Sequence, residues 1–145
     1  MTTTPTFQIA IDCADPYRLC RFWAAAVGYE VEDHHDLVLR MVEAGYASLE
    51  EDTVEIDGRR AWKGAAACAD PSGRGPRLLF QQVPEPKTVK NRVHLDLHVD
   101  GGDEARAAEV ARLIELGATK LWDGQLGPQR WVTMADPEGN EFCVA

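Results

Sequence analysis

The sequence has no apolar run near the ~20 residues that a bilayer span needs. Its start, Met1-Thr-Thr-Thr-Pro5, carries neither a basic stretch nor an apolar core, so no secretory leader is expected. Positive charge is scarce: 15 Lys and Arg stand against 24 Asp and Glu, a net charge of −9. That balance argues against nucleic acid and anionic membrane as partners, because both demand a basic surface. Cysteine is sparse as well. The four, Cys13, Cys20, Cys68 and Cys143, form no Cys-x-x-Cys pair and sit in or near apolar runs. The expectation is small buried thiols in a protein of the reducing cytoplasm. No Ser–His–Asp or Cys–His nucleophile arrangement is visible either.

What is present is enough for an ordinary core. The chain has 145 residues, 45% of them hydrophobic, a length at which folding buries about 70% of the unfolded surface. Phe7 to Cys13 alternates, with Phe7, Ile9, Ile11 and Cys13 on one face and Gln8, Ala10 and Asp12 on the other, the pattern of a half-buried strand. Asp15-Pro16 then predicts a capped helix start. Leu19, Phe22, Trp23 and Ala26 put one apolar face on that helix, and Gly28 ends it. Tyr29 to Glu32 reads as a short strand. Asp36 is expected to cap a short extra helix carrying Val38, Met41 and Val42, with Leu49 on the same side. His34 and His35 read as exposed loop residues, and Asp57-Gly58 as a turn. Strands are expected over 62–69 and 77–83, separated by Asp70-Pro-Ser-Gly73.

The order then starts again. Val93 to Val99 is the cleanest alternation in the chain, with His94, Asp96 and His98 on one face. Asp103 is expected to cap a helix whose Ala107, Val110, Ala111 and Ile114 share a face, closed by Gly117. Strands follow at 118–122, 130–135 and 141–144, with a turn at Asp123-Gly124 and a second Asp-Pro-x-Gly turn at 136–139. The fold class is therefore α+β, two βαβββ modules around one pocket, with the extra helix in module one. A single domain is expected, with module one at about 6–83, a Pro-bearing linker at about 84–91 and module two at about 92–145. Each helix must cover the apolar face of its first strand. The polar faces, Gln8, Ala10 and Asp12 in one module and His94, Asp96 and His98 in the other, then look inward. Unpaired polar groups there would cost several kcal/mol, which is why they point to a binding site.

Particular segments carry a family resemblance: Asp15-Pro-Tyr-Arg-Leu-Cys-Arg-Phe-Trp23, Gly28-Tyr29, Arg77-Leu-Leu-Phe-Gln81, Val83 to Arg92, His94-Leu-Asp96, and Asp136-Pro-Glu-Gly-Asn-Glu-Phe-Cys-Val144. Through them the whole chain resembles the vicinal oxygen chelate superfamily of glyoxalases, bleomycin-resistance proteins and extradiol dioxygenases. It is most similar to the bacterial glyoxalase-like domain branch. The resemblance implies a metal between modules, on ligands from the first and last strand of each. Carried over by position these are Gln8, His94 and Glu141, with the fourth place falling at or near Leu79, which cannot bind a metal.

The resemblance also implies a small-molecule ligand, a homodimer, and either a divalent metal (Zn, Ni, Co, Mn or Fe) or none. An enzyme of this kind would be a metal-dependent lyase or isomerase acting on a small dioxygenated metabolite, with Glu141 and Asp96 as catalytic candidates and Asp12 as another base. The alternative is a metal-free protein that sequesters an antibiotic-like molecule. Gln8, Asp12, Trp62, His94, His98 and Trp131 are the expected pocket residues, the tryptophans as stacking surfaces. A dioxygenase is disfavoured, because Gln8 stands where a two-His, one-carboxylate triad needs its second His. His98 cannot replace it, lying about 13 Å along the strand from His94. Lys87, Lys90 and Arg92 form the one basic cluster, read as a solvated linker, with steering of an anionic group towards the pocket as the alternative.

Overall fold

The computed structural model describes residues 3–145; Met1 and Thr2, the start of the segment read as lacking a leader, lie outside it. The chain divides into two compact units that meet at Pro84 and Glu85. Unit one holds β1 (Ile9–Cys13), α1 (Pro16–Val27), β2 (Glu30–Val31), α2 (His35–Glu43), β3 (Thr53–Ile56), β4 (Arg59–Trp62), β5 (Ala65–Ala69) and β6 (Leu78–Gln82). Unit two holds β7 (Asp96–Leu97), α3 (Gly102–Leu116), β8 (Thr119–Leu126), β9 (Gln129–Ala135) and β10 (Glu141–Val144). Each unit carries one four-stranded sheet. The orders are β1-β6-β5-β2 and β7-β10-β9-β8, so the two units share one topology. In both, the first strand runs parallel to the last and the other neighbours are antiparallel.

Local chemistry explains the first helix. Asp15 accepts from the Arg18 N–H at 3.2 Å, Pro16 supplies the first helical turn, and Gly28 closes it at φ 73°. Leu19, Phe22, Trp23 and Ala26 are buried as the periodicity requires, and Phe22 meets Trp23 edge-on with ring centroids 5.3 Å apart. Burial of a side chain such as Leu19 contributes about 1.5–3 kcal/mol. No helix among the described residues is long and apolar enough to cross a membrane.

Several expectations give way to tertiary structure. The extra helix forms at His35–Glu43, but His34 occupies the cap position and Asp36 lies in the first turn. Leu49 falls outside that helix. His34 and His35 are half-buried rather than exposed: His34 Nε2 lies 3.0 Å from Glu32 Oε1, and His35 Nδ1 accepts from the Arg60 N–H at 2.8 Å. The strand expected over 62–69 is two strands, β4 and β5, because β4 belongs to a β3–β4 hairpin turning at Asp57 and Gly58. Of the 93–99 segment, the cleanest alternation, only Asp96–Leu97 forms β7; its flanks meet the last strand through single bonds, the Cys143 N–H to the Leu95 carbonyl at 3.0 Å and the Val99 N–H to the Ala145 carbonyl at 2.8 Å.

In α3 the cap is Gly101, and Asp103 lies inside the first turn, ion-paired with Arg106. The helix buries Val110 and Leu113 and leaves Ile114 47% exposed. Its seat on β8 and β10 is narrower than the sequence periodicity implied. β8 runs straight through Asp123-Gly124, and the turn comes at Gly127, φ 58°. Gly124 is in the strand for a different reason. A Cβ there would overlap the Trp131 indole, which lies across it.

Both Asp-Pro-x-Gly segments form turns capped by the aspartate side chain. Asp70 accepts from the N–H groups of Ser72 and Gly75, each at 2.8 Å. Asp136 accepts from Glu138 at 2.9 Å and Asn140 at 3.0 Å. These turns anchor the comparison of the two sheets. Ala67 and Thr133 stand at the same distance before their turns; Ala67 lies opposite Leu79, and Thr133 opposite Cys143. Leu79 therefore answers Cys143, and Arg77 answers Glu141. In the first strands Ala10 lies opposite Leu79 and Asp96 opposite Cys143, which makes Gln8 the counterpart of His94. The expected equivalence of Leu79 with Glu141 is thus off by two residues. The β5–β6 turn is longer by two residues than the β9–β10 turn, which shifts the match.

Candidate functional site

Unit two carries a pocket of about 720 Å³ on its sheet. The alternate residues of β9 and β10 turn opposite ways. Val132, Met134, Phe142 and Val144 are buried. Trp131, Thr133, Glu141 and Cys143 line the pocket, with part of Phe142, with His94, Asp96 and His98 from the 93–99 segment and with Trp122 from β8. Alternation left open which face of the final strand looks inward; Glu141 and Cys143 do. Lys90, Gln129 and Arg130 complete much of the rim.

Glu141 is held firmly. Its side chain is 9% exposed, and Lys87 Nζ lies 2.6 Å from Oε1 and 3.2 Å from Oε2. The Asn91 N–H donates to Oε2 at 3.2 Å. Burial pushes this carboxyl upward, but the Lys87 ammonium and the Asn91 N–H outweigh it and hold Glu141 below the ordinary carboxylate range. Lys87 is therefore the partner of a buried acid rather than a solvated linker charge. It also donates to the Val89 carbonyl.

Next to Glu141 lies a tighter group. His94 Nδ1 is 3.1 Å from Asp96 Oδ1. One ligating atom each from His94, Asp96 and Cys143 fall within 4.8 Å of one another. Thr133 Oγ1 is 3.5 Å from Cys143 Sγ. Of the four cysteines, Cys13, Cys20 and Cys68 are buried as expected, and Cys143 is the half-buried one.

Of the predicted site residues, the pocket brings together His94, Asp96, His98, Trp131 and Glu141. Gln8, Asp12 and Trp62 belong to unit one and are not among its lining. Gln8 Oε1 accepts from Arg77 Nη1 at 3.0 Å. Arg77 in turn grips Glu32 through Nε at 2.6 Å and Nη2 at 3.1 Å. That guanidinium, helped by His34, holds the Glu32 carboxyl low. Asp12 is exposed, and the Trp62 carbonyl accepts from Tyr17 Oη at 3.2 Å. Sequence reasoning passed over Trp122, Arg130, Lys87 and Cys143 as site residues. Cys143 left a signal by sharing a strand face with Glu141, and Lys87 left one in the basic cluster it forms with Lys90 and Arg92.

The donor set implied by resemblance can be tested in each unit separately. In unit one, the counterpart of Glu141 is Arg77, a fixed cation already bonded to Gln8. In unit two, both Glu141 oxygens face the Lys87 ammonium. Gln8 and Glu141 are thus committed to protein cations, and as they stand they do not fit a divalent ion. His94 is the member of the set with further donors beside it.

Two sheets of one topology, each made of a strand, a helix and three strands, define a protein of paired βαβββ modules with a polar, tryptophan-walled pocket on one of them. The chain belongs to the glyoxalase-like domain family, whose model matches residues 8–145. No curated protein matches the sequence. Among solved structures it is similar to a glyoxalase/bleomycin resistance protein/dioxygenase family enzyme from Burkholderia phytofirmans PsJN, at 15% identity and TM-score 0.61, covering 94% of each chain. It is also similar to a mutant of the fosfomycin resistance protein FosX from Listeria monocytogenes, complexed with Mn(II) and 1S,2S-dihydroxypropylphosphonic acid. That match has 10% identity, TM-score 0.59, and covers 99% of this chain and 90% of that one. A bleomycin-binding protein from Streptomyces verticillus, complexed with copper(II)-bleomycin, matches at 12% identity and TM-score 0.54, covering 100% and 98%. At these identities the likeness is one of fold.

Proposed function

We propose that this protein binds a small, planar, oxygen-bearing organic molecule in the unit-two pocket. The carrying observation is that Trp122 and Trp131 line the same pocket as the polar row His94, Asp96 and His98. Indole rings give a rigid apolar surface at low entropic cost, and the polar row fixes orientation by hydrogen bonding. Binding is favoured over turnover by the state of Glu141. A carboxylate held low by a lysine is a weak proton acceptor near neutral pH, and general-base catalysis is best served by a group titrating there. The structures complexed with copper(II)-bleomycin and with Mn(II) and 1S,2S-dihydroxypropylphosphonic acid support ligand binding by analogy of fold.

The test is a thermal-shift and equilibrium-dialysis screen of planar hydroxy- and carboxy-aromatics. Trp131→Ala is expected to weaken any hit about tenfold. Hits indifferent to Trp131→Ala and Trp122→Ala would overturn the assignment of this pocket. A metal-dependent lyase or isomerase is the second reading, favoured by the His94, Asp96 and Cys143 cluster. A single domain of two modules is likewise our proposal. So is a homodimer, supported by Val93 and Leu126, apolar side chains left 82% and 71% exposed.

A further inference from the structure

We propose that unit two holds a divalent metal ion on His94, Asp96 and Cys143, not on Glu141. The proposal deepens the reading above, since it rests on the same pocket and supplies an anchor for the oxygens of its ligand. The geometry comes from the strand ladder. Cys143 lies opposite Asp96 on the neighbouring parallel strand, and His94 lies two residues before Asp96 on the same face. Three side chains so placed converge on one point, and their ligating atoms fall within 4.8 Å. Donors on one tetrahedral ion, at about 2.0–2.3 Å from it, are about 3.3–3.7 Å apart. The observed 3.1 Å between His94 and Asp96 needs only a small side-chain rotation to match.

The donor chemistry is specific. Imidazole, carboxylate and thiolate form a borderline-soft set suited to Zn or Co rather than Mg or Ca. The two anionic donors balance the charge of a dication. Three protein ligands leave a fourth position open towards the pocket, where a chelating ligand flanked by Trp131 could complete the sphere.

The duplication provides an internal control. The same positions in unit one are Gln8, Ala10 and Leu79, by the register of the two ladders. A sheet of this topology therefore forms without ligating side chains at the second and third places. Asp96 and Cys143 are not demanded by the fold. Glu141, one step away, is already neutralised by Lys87, so the ion has a site that leaves that pair intact.

The test is titration of Co(II) into the metal-free full chain without organic ligand, so that it fails or succeeds independently of the small-molecule screen. One Co(II) per chain is expected, with a thiolate-to-Co(II) charge-transfer band in the near ultraviolet that Zn(II) abolishes by displacement. Cys143→Ser should lose the band and keep weaker binding. Asp96→Asn and His94→Ala should each weaken binding about tenfold or more. Glu141→Gln should keep the band. Circular dichroism of each variant separates ligand loss from unfolding, and Cys143→Ala provides a second, differently packed variant. Absence of the band in the folded wild type, its survival in folded Cys143→Ser, or its loss in folded Glu141→Gln overturns the proposal.

Discussion

At the scale of single residues, the site is governed by who already has a partner. Glu141, in Glu141-Phe-Cys-Val144, reads as a ligand or base through the position it holds in the family resemblance. Lys87, 54 positions away, changes its chemistry. No local pattern reveals such a pairing, since the distance between two residues in the chain says nothing of their distance in space. Gly124 teaches the same lesson in reverse. Its Asp-Gly context reads as a turn, yet its lack of a side chain serves the Trp131 ring that lies over it. Gly124→Ala is expected to cost about 1–3 kcal/mol through overpacking. Denaturant unfolding checks the stability, and a change in tryptophan emission reports displacement of the ring.

At the scale of elements, local signals succeeded where local chemistry decides. The α1 cap, its proline, its apolar face and its glycine stop all stand as the sequence implies, because each acts within one turn of its neighbour. Asp15→Ala should lower stability by about 1 kcal/mol, measured by urea denaturation, through loss of the cap to the Arg18 N–H. α3 and the 93–99 segment went differently. Which residues of α3 are buried depends on where the sheet lies, and how much of 93–99 pairs depends on the course it takes beside β10. Both are tertiary facts. The register error at Leu79 has the same origin: the turn between β5 and β6 is longer than its counterpart, and only the ladder counts residues correctly.

At the scale of the whole molecule, the buried ion pair links the pocket to pH. The folded pKa of Glu141 lies below its ordinary value. Its stabilisation is therefore present above the unfolded carboxylate value of about 4.3 and is lost as pH falls through the lower folded value. The wild type should lose stability in acid below about pH 4 on this account. Lys87→Met strands a buried carboxylate and should be less stable near pH 7 by about 1–3 kcal/mol. The gap should narrow in acid, where Glu141 is protonated in both proteins. Denaturation midpoints measured at several pH values check both; a gap that does not change with pH would remove Lys87 as the partner.

The α+β class, the repeated order of elements and the shared face of His94, Asp96 and His98 are legible in the chain, because periodicity, caps and repeated turns are written in neighbouring residues; the family is legible through the motifs that carry the resemblance. Tertiary structure alone decided that the final strand turns Glu141 and Cys143 into the pocket, that Lys87 neutralises Glu141, that Arg77 occupies the matching place in unit one, and that Cys143 joins His94 and Asp96. The physical reason is common to all four. Each depends on which strand lies beside which, and in what register, so residues far apart in the chain set one another's charge and reach.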